Sequence, residues 1–572
     1  MSLRGDAIKV MVLACPMLFL VFCPAYTWAQ RGGAREAPLV PATPTPTLTD
    51  TGGPPILAEA DTRPVRFSSR TELVLVPVVV TDKSRAHVSG LRKEDFRMFE
   101  DGKEQVISVF EAVRPEEARV RRPLKSANEF SNVLAGAQSP KRLTIIALDT
   151  VNTPFLDQTR AREQLIQYLV QTVEPGSLVS LITIHRGGIR VIHDFTSDTE
   201  SLIAALRKVA GQLHLMEGLE TPAPGPGDAR NLQAIVRAAV VDENSVADVQ
   251  PLLDFARGVD GQIAGYEQAS AAAITLEAFQ HIAQAYAGVP GRKSLIWATG
   301  SFPFRIDSDT AGMGGGSSAL YERTMQMLTN ANIAVYPIDA RGLVVSVGPA
   351  HASTLSTLET FAAMTGGRAF YNRNDLGASF REATQDSSEY YMLGYYLDTK
   401  NTKPGWRKLS VKVQRDGVKV RSRNGFFVTR TTVEPETTRL MDVYVALRSP
   451  LDYTSLPLTL RWTGTEVKGG KRRVRFEIEL PANTTTIDAS DKNHMSLEFT
   501  AEARDPKGDR KPLFSQTIQA RLRPEALEQV RSSGITYNNF MEVEPGEYTV
   551  RFVVRDNLSG RMGSVAAPLK VM

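Results

Sequence analysis

The sequence predicts an α/β chain: a doubly wound, mostly parallel sheet at its centre, a small N-terminal β-rich unit ahead of it and a C-terminal antiparallel β-sandwich behind. Three observations carry this expectation. From Arg142 onward, continuous apolar runs alternate with apolar residues at four-residue spacing, the pattern of buried strands and the helices that cover them. Ahead of that stretch, short β-branched runs are punctuated by turn residues. Beyond about Leu440, strands alternate apolar and polar positions, as in half-exposed antiparallel sheets. A length of 572 residues suits several folded units, and 42% hydrophobic with 23% charged residues excludes collagen, coiled coil and wholesale disorder. The net charge of +4 is spread over interspersed signs, which argues against nucleic acid as a partner.

The first 29 residues read as a signal peptide. Arg4 and Lys9 precede an apolar run from Val10 to Cys23, and Thr27-Trp28-Ala29 forms a cleavage site. The run is short for a membrane span and is broken by Pro16, so an uncleaved anchor is the weaker reading. Both cysteines, Cys15 and Cys23, fall in this segment. After cleavage the chain would hold no thiol for disulfide, nucleophile or zinc chemistry. Residues 30–64 form a Pro-rich linker that cannot bury a core.

Residues 65–112 are expected to make the β-rich unit. Thr71 to Thr81 is a strand in which Pro77 removes one ladder donor, and Asp101-Gly102 signals a hairpin. Residues 142–430 are expected to form the central domain. Its strands are Leu143–Asp149, Leu178–Ile184, Ser294–Gly300 and Ile333–Asp339; Gly187-Gly188 is read as the loop of a hairpin ending in Ile189–Phe195. Ala161, Leu165 and Leu169 mark the first helix, and Leu202–Val209 a second behind the cap-like Ser197 and Asp198. About 80 residues then separate this helix from the next strand, too many for one crossover, so residues 212–290 are read as a helical insertion. Residues 440–572 form the expected sandwich, with Tyr548, Val550, Phe552 and Val554 on one face of a strand begun by Pro545-Gly546.

Several blocks in order now resemble a family: VVVTDKSRAHVSGLRKEDFRMFEDGKEQ, LDTVNTPFLDQTRAR, DFTSD, PGRKSLIWATGSF, YYMLGYYL, GWRKLSVKV and RNGFF. Together, from about Leu73 to Phe427, they are similar to the von Willebrand factor A (VWA) domain, in the VWA-related group common in Acidobacteria. The resemblance implies a sheet whose strand-end loops bind proteins, often through a bound magnesium. In that site a loop of the form Asp-x-Ser-x-Ser offers a carboxylate and two hydroxyls to an ion that wants six oxygens in a tight octahedron. Here the loop is Asp149-Thr150-Val151-Asn152-Thr153. Asp149 and Thr153 match the pattern, Val151 has no oxygen to give, and Asn152 offers an amide oxygen one position off. Thr299 stands where a second acid would follow the fourth strand, and the middle-loop threonine, with Thr221 as one candidate, falls inside the insertion. The metal ligands are therefore expected to be Asp149, Thr153 and Asn152 at most, in a degenerate site, with Asp149 otherwise capping the loop.

Other motifs carry less. Gly288 to Ser294 imitates a phosphate loop, but Arg292 interrupts it and a strand follows it. The Gly312–Gly316 run lacks any nucleotide fingerprint, and His185 and His193 are not placed as a metal pair. Asp307/Asp309, Asp488/Asp491 and Asp505/Asp509 lie in turn-like segments, and there is no Gly-x-Ser-x-Gly elbow or His-Glu-x-x-His helix. The expectation is an exported, non-enzymatic protein, periplasmic, cell-surface or secreted, that binds a protein partner or mediates adhesion. It needs no cofactor, magnesium being the one ion in question. The alternatives are an envelope hydrolase working from the insertion and a passive structural protein.

Overall fold

The computed structural model describes residues 71–113, 128–133, 142–172, 177–217, 267–300, 302, 316–343, 349–386, 389–398, 403, 405–428, 436–468 and 471–572. The expected signal peptide and linker, Thr221, Asp307/Asp309 and most of the Gly312–Gly316 run lie outside them. Among the described residues the strands form five sheets, and four of these are antiparallel throughout. This corrects the expected class. The chain is mostly antiparallel β, not an α/β protein built on a doubly wound parallel sheet. The central apolar runs account for only one sheet, five of the 21 described strands, and the antiparallel sheets built by the flanking segments outweigh it.

The remaining sheet is mixed. It comprises β6 (Arg142–Asp149), β7 (Ser177–His185), β8 (Gly188–Thr196), β9 (Lys293–Thr299) and β10 (Ile333–Asp339), in the order β10-β9-β6-β7-β8. Three of its pairings are parallel and β7–β8 is antiparallel. Alternation sends Ile145, Ala147, Leu295 and Trp297 to one face and Ile146, Ile296 and Ala298 to the other. Helices cover both faces: α1 (Phe155–Thr172), α2 (Thr199–Glu217) and α6 (Leu376–Gln385) on one, and α3 (267–286), α4 (Gly316–Asn330) and α5 (Pro349–Thr365) on the other. The helix α3 corrects the insertion. Leu276, Phe279, Ile282 and Ala283 are buried against Trp297 and Phe361, so this segment belongs to the core; its alanines allow close approach. Residues 218–266 lie outside the described residues. The β7–β8 loop also sits one residue earlier than expected: His185 pairs with Gly188, leaving Arg186-Gly187 as the loop, with Gly188 at φ +102°.

The β-rich unit does not close on residues 65–112 alone. The strands β1 (Thr71–Thr81) and β4 (Val109–Val113) sandwich β11 (Tyr390–Asp398), while β2 (Phe96–Glu100) and β3 (Lys103–Gln105) extend β12 (Gly405–Val413). The strands β13 (Lys419–Arg421) and β14 (Gly425–Val428) complete the two sheets. Their shared core includes Val76, Val78, Val80, Met98, Leu393 and Tyr395. The four N-terminal strands do not close a core unaided, and residues 390–428, read as part of the central domain, supply the missing strands. Pro77 sits where this costs least: β1 pairs with β11 up to Val78 and with β13 only from Val79.

The C-terminal region opens with α7 (Glu436–Arg448) and folds as two packed antiparallel sheets. One holds β15 (Thr459–Lys468), β16 (Lys471–Leu480) and β19 (Ile535–Val543). The other holds β17 (His494–Arg504), β18 (Arg510–Arg521), β20 (Gly546–Asp556) and β21 (Met562–Val571); the helix α8 (Pro524–Ser533) links them. Val550 and Phe552 are fully buried between the sheets. A strand from far upstream joins here. The short β5 (Glu129–Ser131) pairs with β15, and the buried Asn132 side chain donates to the carbonyls of Tyr453 (2.6 Å) and Leu456 (2.9 Å) and accepts from the Leu458 amide (2.8 Å).

Candidate functional site: the loop after the first central strand

Asp149 ends β6 and is 1% exposed. Its Oδ1 accepts the amides of Val151 and Asn152, both at 3.0 Å, which folds the loop back on the strand end. Its Oδ2 accepts three side-chain donors: Asn152 Nδ2 (2.8 Å), Trp297 Nε1 (3.0 Å) and Thr299 Oγ1 (3.0 Å). Burial pushes the Asp149 carboxyl above the usual range, while the bonds from Asn152, Trp297 and Thr299 pull it down. All five donors are neutral.

The other two expected ligands are engaged as well. Asn152 Nδ2 also donates to Thr275 Oγ1 on α3 (2.9 Å), and Thr153 Oγ1 accepts the Gly300 amide (2.8 Å). A Cβ on Gly300 would come within 2.9 Å of Pro154 Cδ and 3.1 Å of Thr153 Cα, so only glycine lets the loop lie this close. Val151 packs half-buried against the core. Beside Asp149, Thr150, Thr153, Gln158 and Arg162 line a cavity of about 20 Å³, room for about one water.

Asp149, Asn152 and Thr153 are thus brought together, but as a hydrogen-bonded knot. A magnesium ion would have to displace protein donors from the lone pairs it needs, with one carboxylate to offset dehydration. The residues present do not fit the ion. Sequence reasoning missed Trp297 and Thr275 as partners, because aromatic and hydroxyl donors leave no spacing signal. It also missed Asp339, the buried end of β10, whose register partner is Thr299. Arg341 clasps that carboxylate through Nε (2.9 Å) and Nη2 (2.8 Å); an Asp-x-Arg pair after a buried strand was the available clue.

The discarded motifs resolve into structure. Lys293, within the false phosphate loop, is buried and donates through Nζ to the carbonyls of Val289 (2.6 Å) and Gly291 (2.9 Å); burial lowers its pKa to about 7. Asp488 caps a turn through the Ser490 amide, and Asp505 accepts the Asp509 amide. Among the described residues no three His, Cys, Asp or Glu side chains are grouped to hold a metal, and no helix is long and apolar enough to cross a membrane.

No family model matches the chain, and no curated protein does. Solved structures similar to it include the TFIIH p34 N-terminal domain (10% identity, TM-score 0.22), over 43% of this chain and 99% of that one. The SpRpn10 VWA domain is similar at 10% identity and TM-score 0.19, over 41% and 93%. The pilus adhesin SpaC from Lactobacillus rhamnosus GG is similar at 9% identity and TM-score 0.23, over 80% and 57%. These likenesses are slight.

Proposed function

We propose that this chain is an exported, non-enzymatic protein of the VWA-related group, and that it binds a protein partner, without metal, at the carboxyl ends of the central strands. The observation that carries the reading is a pair of exposed leucines at that end: Leu156, 80% exposed in the first turn of α1, and Leu343, 57% exposed just after the Asp339–Arg341 clasp. The two segments are joined by Arg160, one turn after Leu156, whose Nη1 donates to the Arg341 carbonyl (2.8 Å). Exposed apolar side chains on a braced loop edge are what a docking face offers. The sealed Asp149 supports the metal-free part of the proposal.

The test is capture of partners from bacterial envelope extract by the full chain, with and without chelator, alongside Leu156→Glu and Leu343→Glu. The expected result is a partner retained in chelator and lost from both variants. Capture abolished by chelator and restored by magnesium would refute metal independence; capture indifferent to both substitutions would refute the face.

A further inference from the structure

The hairpin that follows β11 is split, and among the described residues the split leaves a strand edge open. On one side β12 pairs with β2 from Leu409 to Val413; on the other β14 covers it only from Gly405 to Lys408. The next strand, β13, would ordinarily continue that cover, but it pairs with β1 in the other sheet. Hydrogen-bond parity fixes which backbone groups this leaves open. The Lys408 carbonyl accepts the Asp101 amide and the Gln414 amide donates to the Asp95 carbonyl, so even-numbered residues face β2. The Leu409 amide donates to the Asn424 carbonyl, so odd-numbered residues face the other way. Val411 therefore turns its N–H and C=O to the uncovered side, where it lines a groove of about 530 Å³.

The same stretch concentrates positive charge. Residues 407–423 hold seven Lys and Arg (Arg407, Lys408, Lys412, Arg415, Lys419, Arg421 and Arg423) against the single acid Asp416, a net of +6 where the whole chain carries +4. Arg407 and Arg421 are spent on Asp101 and Asp386, each at 2.8 Å. Lys412, Arg415 and Lys419 are exposed and carry no ion pair among the described residues, the Lys412 ammonium lying 5.3 Å from the centre of the Phe99 ring on β2. Arg368, on the groove's opposite wall, shares Glu382 with Arg85 and Arg373, three guanidinium groups on one carboxylate. A lysine-rich edge repels a second copy of itself, and the same charges favour an acidic strand.

We propose that this groove binds an extended acidic peptide segment of a partner protein, which adds a strand to the free edge of β12 within the field of Lys412, Lys419 and Arg368. Main-chain bonds to Val411 would supply affinity, and alternating acidic side chains specificity. The site is separate from the leucine face proposed above and stands or falls independently of it.

The test is fluorescence anisotropy of the full chain with a labelled alternating Glu-Thr decapeptide, compared with alternating Glu-Pro and Lys-Thr peptides. The Glu-Pro peptide is N-methylated at each glutamate, so it has the same charge but no amide to give the ladder. Expected are saturable binding of Glu-Thr, binding at least about tenfold weaker for Glu-Pro, and none for Lys-Thr. Lys412→Glu with Lys419→Glu should weaken binding by a similar factor, as should Val411→Pro, which removes a donor facing the groove and none facing β2. Equal binding of Glu-Thr and Glu-Pro would reduce the site to bulk electrostatics and overturn the proposal, as would the absence of Glu-Thr binding. The peptide comparison decides the matter on the native chain, even if Val411→Pro fails to fold.

Discussion

Replacing Asp149 by alanine separates a sealed structural carboxylate from a site kept ready for a cation. The substitution removes the acceptor of five hydrogen bonds. Two donors have somewhere else to go: Asn152 Nδ2 keeps Thr275, and the Thr299 hydroxyl can rotate. Three do not: the amides of Val151 and Asn152 and the Trp297 indole N–H. At about 1 kcal/mol for the half-buried Val151 amide and about 1–2 kcal/mol for each of the other two orphaned donors, the loss should be about 3–5 kcal/mol. For a unit of this size that is a fall of roughly 8–15 °C in Tm, read by differential scanning fluorimetry and urea titration. A carboxylate held for an absent cation predicts the opposite sign, because removing an uncompensated buried charge relieves the apo protein. A loss below about 1 kcal/mol, or a gain, would refute the sealed-carboxylate assignment. The pH dependence adds a second reading. The folded pKa lies above the ordinary value of 3.8, so between the two the folded state keeps a proton that the unfolded state has released. The Asp149 contribution to stability therefore declines as pH rises through that window, and Asp149→Ala should lose that part of the slope.

Three further outcomes are expected. Thr299→Asp places a second acid against Asp149 where a hydroxyl now donates, so its melting temperature should fall below wild type at neutral pH and recover on acidification; saturable magnesium stabilisation of the wild-type chain in calorimetry would count against a closed, metal-free knot. Lys293→Met should match or exceed wild-type stability at pH 6 and lose that advantage near pH 10. A lysine lowered from 10.5 to about 7 costs stability as pH falls through that interval, and pH-resolved urea titration reads it. Asn132→Ala removes three bonds that lock β5 onto the C-terminal sandwich and should cost about 2–4 kcal/mol, with faster proteolysis of residues 128–133 in limited digestion.

What could be read from the sequence was local. The Asp101-Gly102 turn is one case: both residues adopt positive φ, +46° and +82°, and Glu100 pairs with Lys103 across them. Leu143 to Asp149 is another, a run without polar interruption except Thr144, which the structure places between β9 and β7. What could not be read was pairing across distance. Nothing in TELVLVPVVVT announces that its partner lies some three hundred residues on, at Tyr390–Asp398, and nothing in Glu129–Ser131 announces β15. Strand order depends on which edges meet after loop closure, and a loop's closure entropy rises only slowly with its length, so sequence separation is a poor guide. That is why domain boundaries drawn by composition divided two sheets that the chain builds jointly.

The candidate site divides along the same line. Motif spacing was enough to find Asp149, Asn152 and Thr153 and to note that Val151 and Thr299 depart from the ion-binding pattern, because those residues lie close along the chain or at a strand end. What those departures became could only be seen in three dimensions. Thr299 donates to the carboxylate it would otherwise have joined in holding a cation, and Trp297, two residues earlier on the same face of β9, adds a second donor from the core. Losing an acid from such a site need not leave a gap. A neutral donor in its place turns a pair of repelling carboxylates, stable only with a cation between them, into one carboxylate satisfied without any. Here one carboxylate with five neutral donors fixes the loop, and with it the first turn of α1 that carries Leu156.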